Sequence, residues 1–144
     1  MATKKASDLT FLNMAEAFSK LSKAVRQKLG CIIVKDGQVI SNGFNGTPSG
    51  FDNTCEDYDP SAPYPGKLVT KPEVLHAESN ALMKLAMSTN SSKDSTMYLT
   101  CSPCFDCSKL IIQAGIERVV YTHKYRDEKG LPLLKKANII IEQL

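Results

Sequence analysis

The stretch YLTCSPCFDCSK, residues 98–109, carries Cys101, Cys104 and Cys107 at three-residue intervals. Thiols so placed can hold a metal, ligate an iron–sulfur cluster or run disulfide exchange. Cys104-x-x-Cys107 follows Pro103, a residue suited to opening a helix. Two thiols on a first helical turn share a face, and the helix N-terminus favours thiolate, the metal-binding form. Two thiolates do not close a tetrahedral zinc site, so a third ligand must come from elsewhere. The chain has two histidines. His123 follows a β-rich run, whereas His76 opens a helix-like segment, HAESNALMKL, with Glu78 two residues on. If both helix starts lie side by side, His76, Cys104 and Cys107 form a three-ligand site with one position left for water, the catalytic type. Glu78 would then lie near that water without being a ligand.

Each piece alone has a blander reading. A Glu at a helix start is usually a partner of the macrodipole. A thioredoxin-like CxxC would have its first Cys directly after a strand and would leave His76-x-Glu78 unused. An iron–sulfur run would need a fourth thiolate at suitable spacing. Together the pieces form H-x-E…P-C-x-x-C, the signature of zinc deaminases.

The elements that must position these residues follow from pattern. DLTFLNMAEAFSKLSKA, residues 8–24, predicts an amphipathic helix capped by Ser7 or Asp8, with Leu9, Phe11, Leu12, Ala15, Phe18 and Leu21 on its apolar face and 1–7 as a tail. CIIVKDGQVISNGF predicts a hairpin turning at Asp36-Gly37. NGTPSG, residues 45–50, closes its second strand. Residues 51–73, with four prolines, form a long polar loop of the kind that is functional, mobile or a tolerated insertion. VLHAESNALMKLAMS predicts a helix with Leu75, Leu82, Leu85 and Ala86 in the core. There follow a strand at TMYLT, a helix ended by Gly115, a strand at ERVVYT, a short helix at LPLLKKA and a last strand at NIIIEQL. Strands alternating with helices predict an α/β protein with helices on both faces of a sheet, mixed because of the opening hairpin. Cys31 reads as a small core residue and Cys55 as a plain loop cysteine.

At 144 residues and 42% hydrophobic content, the chain fits one domain. Its net charge of +3, with no run of five or more Lys or Arg and no Trp, argues against a nucleic acid polymer as partner. No apolar stretch reaches about 18 residues, so no membrane span is expected. The opening MATKKASDLT lacks a secretory signal's apolar centre, which predicts a cytoplasmic protein.

From about residue 22 onward the chain resembles the deoxycytidylate (dCMP) deaminases of the zinc-dependent cytidine/deoxycytidylate deaminase family, including phage members. SKAVRQKLGCIIVKDGQVISNGFNGTPSG, HAESNALM, MYLTCSPCFDC and KLIIQAGIERVVY carry the likeness. NGTPSG sets it apart from tRNA adenosine and free cytidine deaminases. The resemblance implies a three-layer α/β/α fold with a five-stranded sheet and one Zn2+ on His76, Cys104 and Cys107. It implies zinc-activated hydroxide attacking dCMP, with Glu78 as proton shuttle, to give dUMP for thymidylate synthesis. Asn45 matches the sugar contact, and the backbones of Ala77 and Ser102 match the contacts to the base. Ser22, Arg26, Tyr125 and Arg126 fall near the sugar-phosphate, Arg26 as phosphate ligand. The family further implies a homohexamer activated by dCTP with Mg2+ and inhibited by dTTP, with Gly46, Thr47, Gly50 and Lys84 as effector residues, in the cytoplasm (the host's, for a phage protein). It does not require a thiol at Cys101, and with only His123 to spare a second zinc is not expected. A polynucleotide deaminase and a non-catalytic zinc module are the rival readings.

Overall fold

Asp36 and Gly37 both take positive φ, 50° and 76°. That is the geometry of a two-residue hairpin turn whose twist matches its strands. It joins β1 (Gly30–Lys35) to β2 (Gln38–Phe44), which pair antiparallel with a bulge between Ile33 and Val34. A computed structural model describes residues 2–144. β1 also pairs antiparallel with β5 (Thr96–Cys101), and β5 lies parallel to β6 (Arg118–His123), itself parallel to β7 (Ile140–Gln143). The strand order β2-β1-β5-β6-β7 makes the predicted mixed five-stranded sheet.

Alternation along the strands sorts side chains into two layers. Ile32 and Val34 of β1, with Tyr98 and Val120, meet Leu12 and Ala15 of α1 (Lys4–Ser19). Cys31 and Ile33, with Met97, Leu99, Val119 and Tyr121, face the other way. There they pack on α2 (Ala77–Ala86), α3 (Phe105–Gln113) and α4 (Gly130–Lys136). The sheet is thus covered on both faces, as the three-layer expectation requires.

Several expectations need correction. α1 begins at Lys4, capped by the Thr3 hydroxyl, which accepts from Ala6 N–H at 3.2 Å, so the supposed tail is largely helix; Met1 lies outside the described residues. Asp8 is not a cap. Its carboxylate takes two hydrogen bonds from the Arg118 guanidinium, at 2.7 and 2.8 Å, and one from Tyr98 Oη at 2.7 Å. The helix stops at Ser19 rather than near residue 24, which leaves Leu21 exposed, and Leu9 is exposed on the outer side. Ala86 is exposed, while Ala77 and Ala81 are the buried small residues of α2.

A further correction concerns residues 51–73. They are not structureless: β3 (Glu56–Tyr58) and β4 (Leu68–Thr70) form a two-stranded antiparallel ribbon, with Glu56 opposite Thr70. Three-residue strands carry too little alternation to be read from sequence. Among the described residues no helix is long and apolar enough to cross a membrane.

Candidate active site

α2 and α3 both start at the same end of the sheet, beside the carboxyl ends of the parallel strands, where open α/β sheets place their ligands. The approach of α2 depends on Gly43 of β2. A Cβ there would meet the carbonyl of Ala77, and would lie 2.7 Å from Ala81 N. Gly130 of α4 does the same for α3, since a Cβ there would lie 2.8 Å from the carbonyl of Cys104.

His76 is the N-cap residue of α2, and Cys104 is the N-cap residue of α3. Their extended backbone turns each side chain toward the gap between the helices. Cys107, one turn on, sends its N–H to Cys104 Sγ at 3.4 Å. His76 Nδ1 lies 3.5 Å from Cys104 Sγ and 3.3 Å from Cys107 Sγ. All three donor atoms fall within 4.8 Å of one another. A tetrahedral Zn2+ with ordinary Zn–N and Zn–S bonds separates N from S by about 3.6 Å. The donor set and its spacing therefore fit zinc, with Nδ1 as the ring nitrogen turned to the metal. Cys101, despite its place in the run, stands outside this group, so the cysteines do not form a cluster site.

The electrostatics suit a bound cation. Hydrogen bonds from Cys107 and His76 push the Cys104 thiol down to about 4, despite its partial burial. The proton is left on Cys107, whose thiol is raised by its hydrogen bond to Cys104 and by burial. The bond to Cys104 raises His76 as well. Metal binding would displace the shared protons, as thiolate sites require. Glu78, only 6% exposed, has its carboxyl pushed up to about 7 by burial. A carboxyl in that range both takes and returns a proton near neutrality.

His76, Glu78 and Cys104 open on a cavity of about 390 Å³, which Arg26, Asn45, Ser102, Tyr125 and Arg126 also line. The volume lies in the range of small-ligand sites, roughly 300–1,000 Å³. Asn45 accepts from Leu29 N–H through Oδ1 at 2.9 Å and donates to the Gln27 carbonyl through Nδ2 at 2.8 Å. Each of these atoms keeps capacity for one further bond. Ser102 gives its N–H to the His123 carbonyl at 2.8 Å and accepts Tyr125 N–H on its hydroxyl at 2.7 Å. Arg26 and Arg126 are exposed at the rim, and the Arg126 guanidinium lies 6.0 Å from the Tyr125 ring centre.

Not every expected residue reaches the cavity. Ser22 is buried behind it, where its hydroxyl donates to the Asn45 carbonyl at 2.8 Å. Ala77, fully buried, is the first residue of α2. Gly46 is bridged to Leu75, Thr47 donates to the Asp52 carbonyl, and Gly50 holds a turn at φ 88°. Lys84 donates to Asn42 Oδ1 at 2.9 Å. None of these four lines the cavity.

Sequence reasoning missed Gln27, Leu29, Thr70, Val74, Cys101 and Lys124 as lining residues. Cys101 carried a signal, since Met97, Leu99 and Cys101 alternate inward along β5 and the last of them meets the site. Thr70 carried none, because its strand is too short to show a period.

A family model, the cytidine and deoxycytidylate deaminase zinc-binding region, matches residues 5–123. The deoxycytidylate deaminase of Saccharomyces cerevisiae is 34% identical over 144 residues, covering 94% of this chain but 44% of that protein, so the chain spans under half of that relative's length. The deoxycytidylate deaminase of Enterobacteria phage T4 is 33% identical, covering 83% of this chain and 79% of that protein. A crystal structure of the dCMP deaminase from the cyanophage S-TIM5, in complex with dCMP and dUMP, superposes with a TM-score of 0.90 at 42% identity over 99% of this chain and 100% of that one. With the zinc-fitting trio and the buried glutamate in place, these likenesses establish that the chain belongs to the cytidine and deoxycytidylate deaminase family.

Proposed function

We propose that the chain deaminates dCMP hydrolytically, turning dCMP and water into dUMP and ammonia. The observation that carries this reading is one cavity lined by His76, Cys104 and Glu78, with Cys107 beside the first two, and rimmed by Arg26, Lys124 and Arg126. The first set suits attack by water on an amino-substituted ring, and the second suits a phosphate.

His76, Cys104 and Cys107 would hold Zn2+. When bound, the metal supplies Lewis acidity that makes water a nucleophile near neutral pH. Glu78 takes the proton released by the attacking water and places it on the ring nitrogen next to the amine-bearing carbon. It then takes the remaining proton of the hydroxyl added to that carbon and passes it to the departing amine, as the carbonyl forms and the C–N bond breaks. One carboxyl serves as base and then acid within a turnover. Ser102, with its N–H and hydroxyl already engaged, offers its carbonyl to the amine. Asn45 meets the sugar, backed by Ser22. Arg26, Arg126 and Tyr125 meet the phosphate, and Lys124 joins them.

The reading extends to regulation: a homohexamer in the cytoplasm (of the host, for a phage protein) that supplies dUMP for thymidylate synthesis. It is activated by dCTP with Mg2+ and inhibited by dTTP, with Gly46, Thr47, Gly50 and Lys84 at a separate effector site. The likeness to dCMP deaminases supports this, and dose-response curves of rate against dCTP and dTTP test it.

The main test compares initial rates on dCMP and deoxycytidine, with zinc-stripped protein as control. Strong zinc-dependent preference for dCMP is expected. Equal rates would show that the phosphate goes unread. No turnover of either, with dCTP and Mg2+ present, would favour a polynucleotide substrate or a non-catalytic zinc module.

A further inference from the structure

Glu56 is a buried carboxylate, 9% exposed, and its hydrogen bonds go to main chain. Val25 N–H donates to both of its oxygens, each at 2.9 Å, and Arg26 N–H adds a third bond at 3.3 Å. Directly across the ribbon from Glu56 stands Thr70. Its hydroxyl accepts from Arg26 Nη1 at 3.0 Å. One cross-strand pair therefore grips Arg26 twice, at its backbone and at its guanidinium. Arg26 otherwise sits in a segment without regular structure between α1 and β1, where a long side chain would sample many rotamers.

We propose that the β3–β4 ribbon is a positioning device for Arg26, with Glu56 and Thr70 holding the guanidinium where a substrate phosphate arrives. This deepens the dCMP reading and rests on it. Glu56 touches neither the cavity nor the reacting atoms, so it acts only through Arg26. The two N–H groups it orders have no other regular partner to fix the turn, and an acceptor-only side chain suits them. Glutamine in its place would turn an NH2 toward an N–H, so one of its two ends repels. Held in advance, Arg26 meets the phosphate without paying the ordering entropy on binding, which is a gain in substrate affinity rather than in the chemical step. Residues 51–73 are thus part of how the site reads a phosphate, and not a passive insertion.

The test is steady-state kinetics on dCMP for the zinc-loaded full chain and four variants: Glu56→Gln, Thr70→Val, Arg26→Ala and the double Glu56→Gln/Arg26→Ala. Glu56→Gln should raise KM about tenfold, the loss of charge-assisted bonds, with kcat within about twofold. Thr70→Val should raise KM several-fold, giving an independent reading if Glu56→Gln folds poorly by thermal melting. The double variant should be no worse than Arg26→Ala alone, because positioning an absent guanidinium changes nothing. Unchanged KM in folded Glu56→Gln, or losses that multiply in the double variant, would overturn the proposal. Absence of dCMP turnover in the parent protein would instead sink the functional reading itself.

Discussion

Gly43 offers a sharp test of how the fold places the site. Gly43→Ala adds one methyl group at a position where β2 and the first turn of α2 touch backbone to backbone. The new Cβ would lie 2.7 Å from Ala81 N and 3.1 Å from Ala81 Cβ, besides meeting the Ala77 carbonyl. Comfortable contacts lie near 3.5–4 Å, so α2 must retreat by about 1 Å. Overpacking of this kind costs roughly 1–3 kcal/mol, which leaves a folded protein. The larger effect falls on chemistry, because α2 carries His76 and Glu78 while Cys104 and Cys107 stay with α3. A displacement of that size can lower turnover on the order of 100-fold. The assay pairs thermal melting with zinc content and kcat. The expected result is a modest loss of melting temperature, weakened zinc retention and a kcat loss far beyond the stability loss. Wild-type kcat with an unchanged melting point would refute the claim that this contact sets the site.

Other outcomes follow from named contacts. Glu78→Gln should keep zinc and lose turnover by about 10²–10⁴-fold, the usual reach of acid–base catalysis; near-normal rates measured on zinc-replete protein would remove Glu78 from its role. Cys104→Ser should lower bound zinc, by metal analysis of the purified protein, since it deletes one of three ligands. Asp8→Asn strands the buried Arg118 guanidinium with Glu142 at 2.9 Å as its remaining carboxylate. Breaking such a pair costs about 3–5 kcal/mol, which calorimetry would read as a fall on the order of 10 °C. The Arg118 hydrogen bond lowers the Asp8 carboxyl, so its stabilisation is complete above the ordinary carboxylate value near 4 and is lost as pH falls through the lower folded value. Urea midpoints between about pH 6 and pH 2 should therefore fall less steeply in Asp8→Asn than in the parent.

Much of the site was legible because its parts are local in sequence. His76-x-Glu78 and Cys104-x-x-Cys107 each sit on a single helix start, and helix starts advertise themselves by caps and apolar spacing. Asp36-Gly37 was legible for a similar reason, since two residues define the turn. What was illegible is non-local. Asp8 resembles a cap in sequence, yet its partner Arg118 lies 110 residues away. Glu56 and Thr70 looked like loop residues because three-residue strands have no period, and their purpose appears only when Arg26 is brought against them. The family resemblance made Ser22 a substrate contact; in space its hydroxyl supports Asn45 from behind.

The most direct test of the central claim is a zinc titration of metal-stripped protein, following dCMP deamination against metal bound per chain. Activity should be absent without metal and rise in proportion to occupancy, reaching its plateau at about one Zn2+ per chain. Full activity in the stripped protein, or a stoichiometrically loaded protein that leaves dCMP unchanged, would contradict the claim.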